Sequence, residues 1–153
     1  MRKIKLLIML SCSWLFSVGQ GTVSTVPTLT GTNSSGGVTF SVSSTSSAVI
    51  DGMTNQFTTA ASTADVWYKV GGAGTPPGAI STANGWTLAV SGAPVSPLAN
   101  SSVTIPFGGV TIAVPSNTPV GIHIAAANTN YRTGVAGDVT IFTDGTFTVD
   151  VND

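Results

Sequence analysis

Charged side chains are scarce in this 153-residue chain, at 7% of its residues against roughly 25% in an average soluble protein. Glutamate is absent, so the six acidic side chains are all aspartates. Five lysines and arginines are too few to neutralise a track of phosphates, which argues against nucleic acid as a partner. The hydrophobic content of 42% argues against a disordered acidic or basic tail, because such tails lack apolar surface to bury.

The chain has one cysteine, Cys12, and no apolar run as long as a membrane span. Cys12 lies in a segment with the parts of an export signal: three early cations, an apolar run over residues 6–18, and the small residues Ser17 and Gly19. We therefore predict a signal peptide over residues 1–19. The apolar run is about 13 residues, short of the ~20 that a membrane helix needs, so we expect no membrane span in the mature chain.

Two alternatives to a cleaved signal stay open. The apolar run could remain as an uncleaved anchor, or Cys12 could be acylated as in a lipoprotein. The lipoprotein hypothesis requires a hydrophobic segment of only about five to seven residues. The apolar run instead continues beyond the cysteine through Trp14, Leu15 and Phe16.

Removal of the signal leaves a more acidic protein without cysteine. Residues 20–153 keep two cations, Lys69 and Arg132, and all six aspartates, for a formal charge of −4. No disulfide, thiolate metal site or cysteine nucleophile is then available, so stability must come from packing and hydrogen bonds. We expect a secreted protein that lies outside the cell or at its surface.

Short alternations of apolar and polar residues predict strands along the mature chain. The 23 threonines also favour strands over surface helices. We predict an all-β protein, an antiparallel β-sandwich of jelly-roll or immunoglobulin-like type with about eight strands. Trp86, Leu88 and Val90 are predicted to share the inward face of one strand, and His123 is predicted to face solvent from another. The predicted strands cover residues 38–42, 65–70, 86–90, 102–105, 110–113, 120–125, 139–142 and 147–151.

The segments between and before these strands set the domain organisation. Residues 20–36 are rich in Ser, Thr and Gly and predict a flexible leader or an edge strand, followed by a β-sandwich domain over residues 37–153. Residues 71–85 are rich in Gly and Pro and predict a long loop, either a flexible surface connection or a functional one. The dipeptide Asp144-Gly145 predicts a tight hairpin turn, because both residues tolerate a positive φ.

Few residues could carry catalysis or bind a metal. His123 is the only histidine; no Gly-x-Ser-x-Gly elbow marks a nucleophile for it, and one histidine cannot form a His-rich zinc site. A glycosidase pair is disfavoured because glutamate is absent. We therefore expect no enzyme activity, no cofactor and no metal. The candidates for calcium, should it bind, are the carboxylates around the last hairpin: Asp138, Asp144 and Asp150.

Aromatic side chains are the candidates for ligand binding. Strand alternation turns Trp67 and Tyr68 to opposite faces, and Tyr68 shares its face with two valines, which leaves Trp67 exposed. Trp67 and Tyr131, together with residues 71–85, could stack against the C–H faces of sugar rings. The ligand would then be a neutral polysaccharide.

Several short motifs follow one another in a characteristic order over residues 36–151. They are Val66-Trp67-Tyr68-Lys69, Gly85-Trp86-Thr87-Leu88, Gly109-Val110-Thr111-Ile112-Ala113-Val114-Pro115, Val120-Gly121-Ile122-His123-Ile124, Tyr131-Arg132-Thr133-Gly134 and Phe142-Thr143-Asp144-Gly145-Thr146-Phe147-Thr148-Val149. In this order they resemble the β-sandwich modules near the N-terminus of large secreted and cell-surface proteins of Bacteroidetes-type bacteria. The resemblance implies an exported module and carries over no catalytic residue.

The chain departs from that family pattern in two places. Val114-Pro115-Ser116-Asn117 stands where the family turn reads Pro-Ala-Gly. The relatives have a further strand after the last hairpin, whereas this sequence stops at Asp153, so we expect either a fragment or a sandwich that lacks this final strand. An open sheet edge would accept a strand from another surface or extracellular protein, or from residues 20–36.

Three functions follow from these observations, in decreasing order of support. The first is a non-catalytic exported β-sandwich module with a structural, adhesive or assembly role at the cell surface or outside the cell. The second is a carbohydrate-binding jelly-roll module that uses Trp67 and Tyr131. The third, a remote alternative, is a small secreted hydrolase.

Overall fold

The described part of the chain is built almost entirely from β-strands. The computed structural model describes residues 33–57, 61–74, 77–96, 101–131 and 141–151. These ranges hold ten strands and a short 3-10 turn, Thr82–Asn84. The strands are β1 (Asn33–Ser44), β2 (Ala48–Ile50), β3 (Met53–Phe57), β4 (Thr63–Val70), β5 (Thr87–Pro94), β6 (Ser101–Ile105), β7 (Ile112–Val114), β8 (Val120–Tyr131), β9 (Ile141–Thr143) and β10 (Phe147–Asp150).

The strands form one large sheet and one small sheet. The large sheet has the order β5-β4-β8-β1-β10-β9, and β3 joins it by pairing with both β6 and the far end of β8. β2 and β7 form the small sheet. Every pairing between these strands is antiparallel. The prediction of an all-β antiparallel fold is confirmed, and the arrangement is consistent with a sandwich.

The hydrophobic core covers one face of the large sheet. In β8 every second residue from Val120 to Ala126 is buried, as strand alternation requires. Most of the other buried apolar side chains come from both sheets and join this row in one cluster. They include Val42 of β1, Ala64 and Val66 of β4, Val90 of β5, Phe57 of β3, Ile105 of β6, and Ile112 and Val114 of β7.

The prediction that Trp86, Leu88 and Val90 share one face is wrong. Val90 pairs with Val66, but Leu88 pairs with the next residue, Trp67, so β5 has one extra residue at this point. Such a β-bulge shifts all side chains beyond it to the other face. Val90 is accordingly 8% exposed in the core, whereas Leu88 is 38% exposed on the opposite face.

The N-terminal boundary of the sheet lies earlier than the predicted end of the leader. β1 begins at Asn33 and its first residues pair with the end of β8, so residues 33–36 belong to the large sheet. The predicted signal peptide and residues 20–32 lie outside the described residues, and their assignment stays a prediction.

Candidate functional site

The most distinctive side chains lie on the face of the large sheet that points away from the core. Alternate residues of a strand face opposite sides of the sheet. The residues next to the core residues in sequence therefore point to this outer face, where they line up across four strands. The register pairs Thr39 with His123, His123 with Trp67, and Trp67 with Leu88. These four residues are called the outer row.

Two parts of the connection between β4 and β5, residues 71–74 and 77–86, form the covering segment. The Gly71 amide donates to the Pro119 carbonyl over 2.8 Å, and the Ala73 amide donates to Ser41 Oγ over 3.0 Å. Ala73 is buried against the sheet. These contacts attach the start of the loop to the sheet, whereas residues 78–79 and 82–85 are exposed, and the choice between the two predicted roles stays a prediction.

Gly121 of β8 allows the covering segment to approach the sheet. A Cβ atom at Gly121 would lie 2.5 Å from the Ala73 nitrogen and 2.6 Å from the Ala73 Cα, distances that backbone atoms cannot accept. A glycine between branched residues in a strand is a signal of such close backbone approach. Neither Gly121 nor its partner Ser41 was predicted from the sequence, although this glycine was the available signal.

Trp86 ends the covering segment and is 1% exposed. It is buried as predicted, but beside His123 and outside the core cluster. Its ring centroid lies 6.4 Å from that of His123 in an edge-to-face arrangement, and Lys69 Nζ lies 6.0 Å from the Trp86 ring centroid. The Trp86 Nε1 atom is buried and has no hydrogen-bond partner among the described residues.

His123 lies on the predicted face of β8, but the prediction that it faces solvent is wrong. Its Nδ1 atom lies 2.7 Å from Thr39 Oγ1, and its ring occupies the space above Gly37, where a Cβ atom would lie 2.6 Å from His123 Cε1. The histidine is partly buried, and this burial lowers its pKa below the ordinary value of 6.5. Strand alternation correctly predicted the face of the sheet on which His123 lies. The exposure of its side chain is instead determined by the contacts with Trp86 and β1.

The two predicted sugar-binding aromatics are far apart along the sheet. Trp67 is partly buried in the outer row opposite His123, and Tyr68 packs partly buried against the core. Tyr131 is the last residue of β8, and its side chain lies outside the described part. The partners of His123 and Tyr131 on β1, Thr39 and Asn33, are six residue steps apart, which is roughly 20 Å at the rise of a strand. One sugar ring cannot bridge that distance.

The calcium candidates do not form a described cluster. Asp144 Oδ1 accepts hydrogen bonds from the backbone amides of Phe147 and Thr146 over 2.7 and 2.8 Å, which lowers the pKa of this carboxyl. Asp144 therefore works as a turn residue, as its position before Gly145 predicted. Asp150 lies in β10, and Asp138 lies outside the described residues. Within the described ranges, no three metal-ligating side chains come together.

A shallow groove of about 370 Å³ lies at the end of the sheet where β1, β10 and the turn before β8 meet. Its floor is held by hydrogen bonds from the Thr45 amide to the Thr146 carbonyl over 3.0 Å and from the Asn117 amide to the Ser44 carbonyl over 2.7 Å. The described residues that line the groove are uncharged: Ser43, Ser44, Thr45, Asn117, Pro119, Thr146 and Thr148.

Comparisons with known proteins add no assignment to this geometry. No protein-family model, no curated protein and no solved structure matches the chain. The described residues also contain no helix of the length and apolarity needed to cross a membrane. Function therefore has to be argued from the residues and contacts described above.

Proposed function

We propose that this protein is exported with the help of residues 1–19 and acts outside the cell, or at its surface, as a non-catalytic β-sandwich module. Its role would be structural, adhesive or in assembly, as in the Bacteroidetes-type modules that its motifs resemble. Three features of the described residues support this proposal: the use of its reactive groups, its neutral surface and the difference between its two sheet edges.

Three of the described titratable side chains make contacts that hold the fold together, and this observation carries the proposal. Asp65 Oδ1 accepts a hydrogen bond from the Gly92 amide over 2.6 Å, and Asp144 Oδ1 accepts two from its own turn. His123 is paired with Thr39 and packs against Trp86. A catalytic base must instead reach the proton of a substrate or nucleophile.

The surface offers neutral hydrogen-bonding groups in place of charge. The sequence from residue 20 onward has eight charged side chains, and Ser, Thr, Asn and Gly cover much of the remainder. Contacts made through such a surface gain little from long-range attraction and are therefore insensitive to salt. This favours contact with neighbouring macromolecules over the capture of ions.

Two of the edge strands of the large sheet, β5 and β9, differ in how well they resist a new strand. β5 forms one edge and carries two register irregularities and Gly92 at a φ of 60°, features that disrupt a pairing edge. β9 forms the other edge of the described order, and its Ile141 side chain is 56% exposed. The β9 edge is thus the better acceptor for a strand from a partner.

Sedimentation velocity combined with hydrogen exchange tests the assembly role. We expect the protein to associate as its concentration rises, equally at low and high salt, or to remain monomeric with unprotected β9 amides that await another partner. Ile141→Lys, which places a charge on the edge, should abolish association. Val49→Lys is the matched control, because Val49 is equally exposed on another strand, β2. A monomer with fully protected β9 amides would overturn the assembly role.

Carbohydrate binding is a second candidate, and the neutral groove favours it. Hydroxyl and amide side chains from three elements converge there, and Pro119 adds a flat apolar surface. A glycan array followed by titration of any neutral oligosaccharide that binds would test it. Thr146→Val should weaken binding by about tenfold if the groove is the site, because a hydrogen bond is lost at constant shape.

Trp67→Ala separates the groove from the predicted aromatic site in the same titration. Loss of binding only in Trp67→Ala would place the sugar on the outer face, and Thr104→Val, on the distant strand β6, is the control for the groove variant. Failure of every glycan to bind would remove this second candidate and leave the assembly role untouched.

A further inference from the structure

The covering segment has few attachments to the sheet. Among the described residues, the Gly71 amide bonds to Pro119, the Ala73 amide bonds to Ser41, and Trp86 packs beside His123. The other described hydrogen bonds of the segment are internal, as in the bond from Asn84 Nδ2 to the Ala79 carbonyl. The Trp86 Nε1 atom loses its water on burial without gaining a described partner, which reduces the benefit of burying this ring.

We propose that the covering segment is acid-sensitive: protonation of His123 releases residues 71–74 and Trp86 from the outer face while the core stays folded. Release would expose Trp86 together with Trp67 and Lys69, which share this face. The proposal concerns a local opening and does not depend on the proposed function.

The two charged groups on β4 near His123 carry opposite signs. Lys69 and Asp65 flank the outer row on β4, at the positions diagonal to His123. Lys69 would repel a charged ring and Asp65, which also accepts the Gly92 amide on the side of β5, would attract it, so the two effects oppose each other. From β1, the hydroxyl of Thr39 contacts the ring by a hydrogen bond, and the described covering residues and β5 contain no titratable side chain.

The bond between Thr39 and His123 is not itself the trigger. A threonine hydroxyl can donate to a neutral Nδ1 atom and can accept from a protonated one, so this contact persists in both states. The change on protonation is the burial of a charge beneath a neutral cover, which is unfavourable unless water reaches it. Lifting the covering segment admits that water.

The direction of the pH effect follows from the lowered pKa of His123. Burial favours the neutral ring, so the closed state binds a proton less readily than an open state in which the pKa has its ordinary value of 6.5. The closed state is therefore fully favoured above pH 6.5. It loses stability relative to the open state as the pH falls from that value toward the lowered pKa.

Hydrogen exchange across the histidine titration, from about pH 8 to about pH 5, tests the proposal after correction for intrinsic exchange rates. We expect protection of the Ala73 amide and of the Trp86 indole N–H to fall severalfold as the pH falls through the histidine titration. Protection of the Ile122 and Ile124 amides, which lie in the core strand, should stay constant.

The matched variant is His123→Gln, which keeps a polar partner for Thr39 and cannot titrate in this range. It should remove the pH dependence of the Ala73 protection. Should this variant fold poorly, NMR titration of the wild-type imidazole serves instead, and the loss of Ala73 protection must lie between pH 6.5 and the midpoint of that titration. The proposal would be overturned by constant protection at Ala73, by an unchanged response in the folded variant, by a loss outside this pH window, or by a parallel loss at Ile122.

Discussion

The inner and outer faces of the large sheet are covered by different means. On the inner face, Ile122 and its neighbours pack into a continuous apolar core made by strands from both sheets. On the outer face, two hydrogen bonds and one tryptophan hold a covering segment over Gly121 and His123. The inner closure depends on the area of apolar surface removed from water, whereas the outer closure depends on a glycine that lets two backbones meet.

This difference predicts that the two faces respond separately to substitution. Damage to the core should reduce the stability of the whole domain, because the core links strands of both sheets. Damage to the outer face should instead release the covering segment, which has few contacts and so opens locally. Adjacent residues of β8 provide the comparison, since they point to opposite faces.

The largest effect is expected for Ile122→Ala on the inner face. Ile122 is 0% exposed, and its truncation should lower the free energy of unfolding by about 2–5 kcal/mol through lost burial and a residual cavity. Urea unfolding followed by far-UV circular dichroism measures this loss. A loss below that of Gly121→Ala would contradict the assignment of the core to this face.

A smaller effect is expected for Gly121→Ala on the outer face. The new methyl group meets the backbone of Ala73 and Gly72, so the covering segment must lift, at a cost of about 1–3 kcal/mol. Fluorescence should then report a more solvent-exposed Trp86, with the core strands intact.

Gly36→Ala is the matched control for this change, because Gly36 lies in β1 and a Cβ atom there meets nothing within 4 Å. This control should leave both stability and fluorescence unchanged. Equal effects of the two alanines would show that the close approach at Gly121 is not needed.

The smallest effect is expected at Asp144, which belongs to neither face. The amides of Phe147 and Thr146 lower its pKa, so the folded state gains stability above the ordinary pKa and loses it as the pH falls through the lowered value. Asp144→Asn should remove this acid-dependent loss in thermal unfolding measured across the acid range. Asp51→Asn, at an exposed aspartate between β2 and β3, is the control, and the same change in both variants would contradict the turn assignment.

The inner face was predictable from the sequence, because alternation acts within one strand. The buried positions of Ile122 and Ile124 follow directly from it. The interruption in β5 was not predictable, since the extra residue beside Leu88 is defined only by pairing with Trp67. A β-bulge is defined by the pairing of two strands, whereas the alternation of apolar and polar residues describes a single strand.

The outer face was predictable only in part. The alternation assigned His123 and Trp67 to this face, but it gave no information on what covers them. The covering segment approaches through Gly121, and no apolar pattern marks that contact. The glycine in the middle of a predicted strand was the available signal, and it indicated a close approach without naming the partner.

Native-state hydrogen exchange in increasing denaturant tests the separate closure of the two faces most directly. We predict that the Ala73 amide is protected but opens with a smaller free energy and a weaker denaturant dependence than the Ile122 and Ile124 amides. That result would establish a cover that opens on its own above a core that stays closed. An unprotected Ala73, or a single free energy shared by all three amides, would contradict the account.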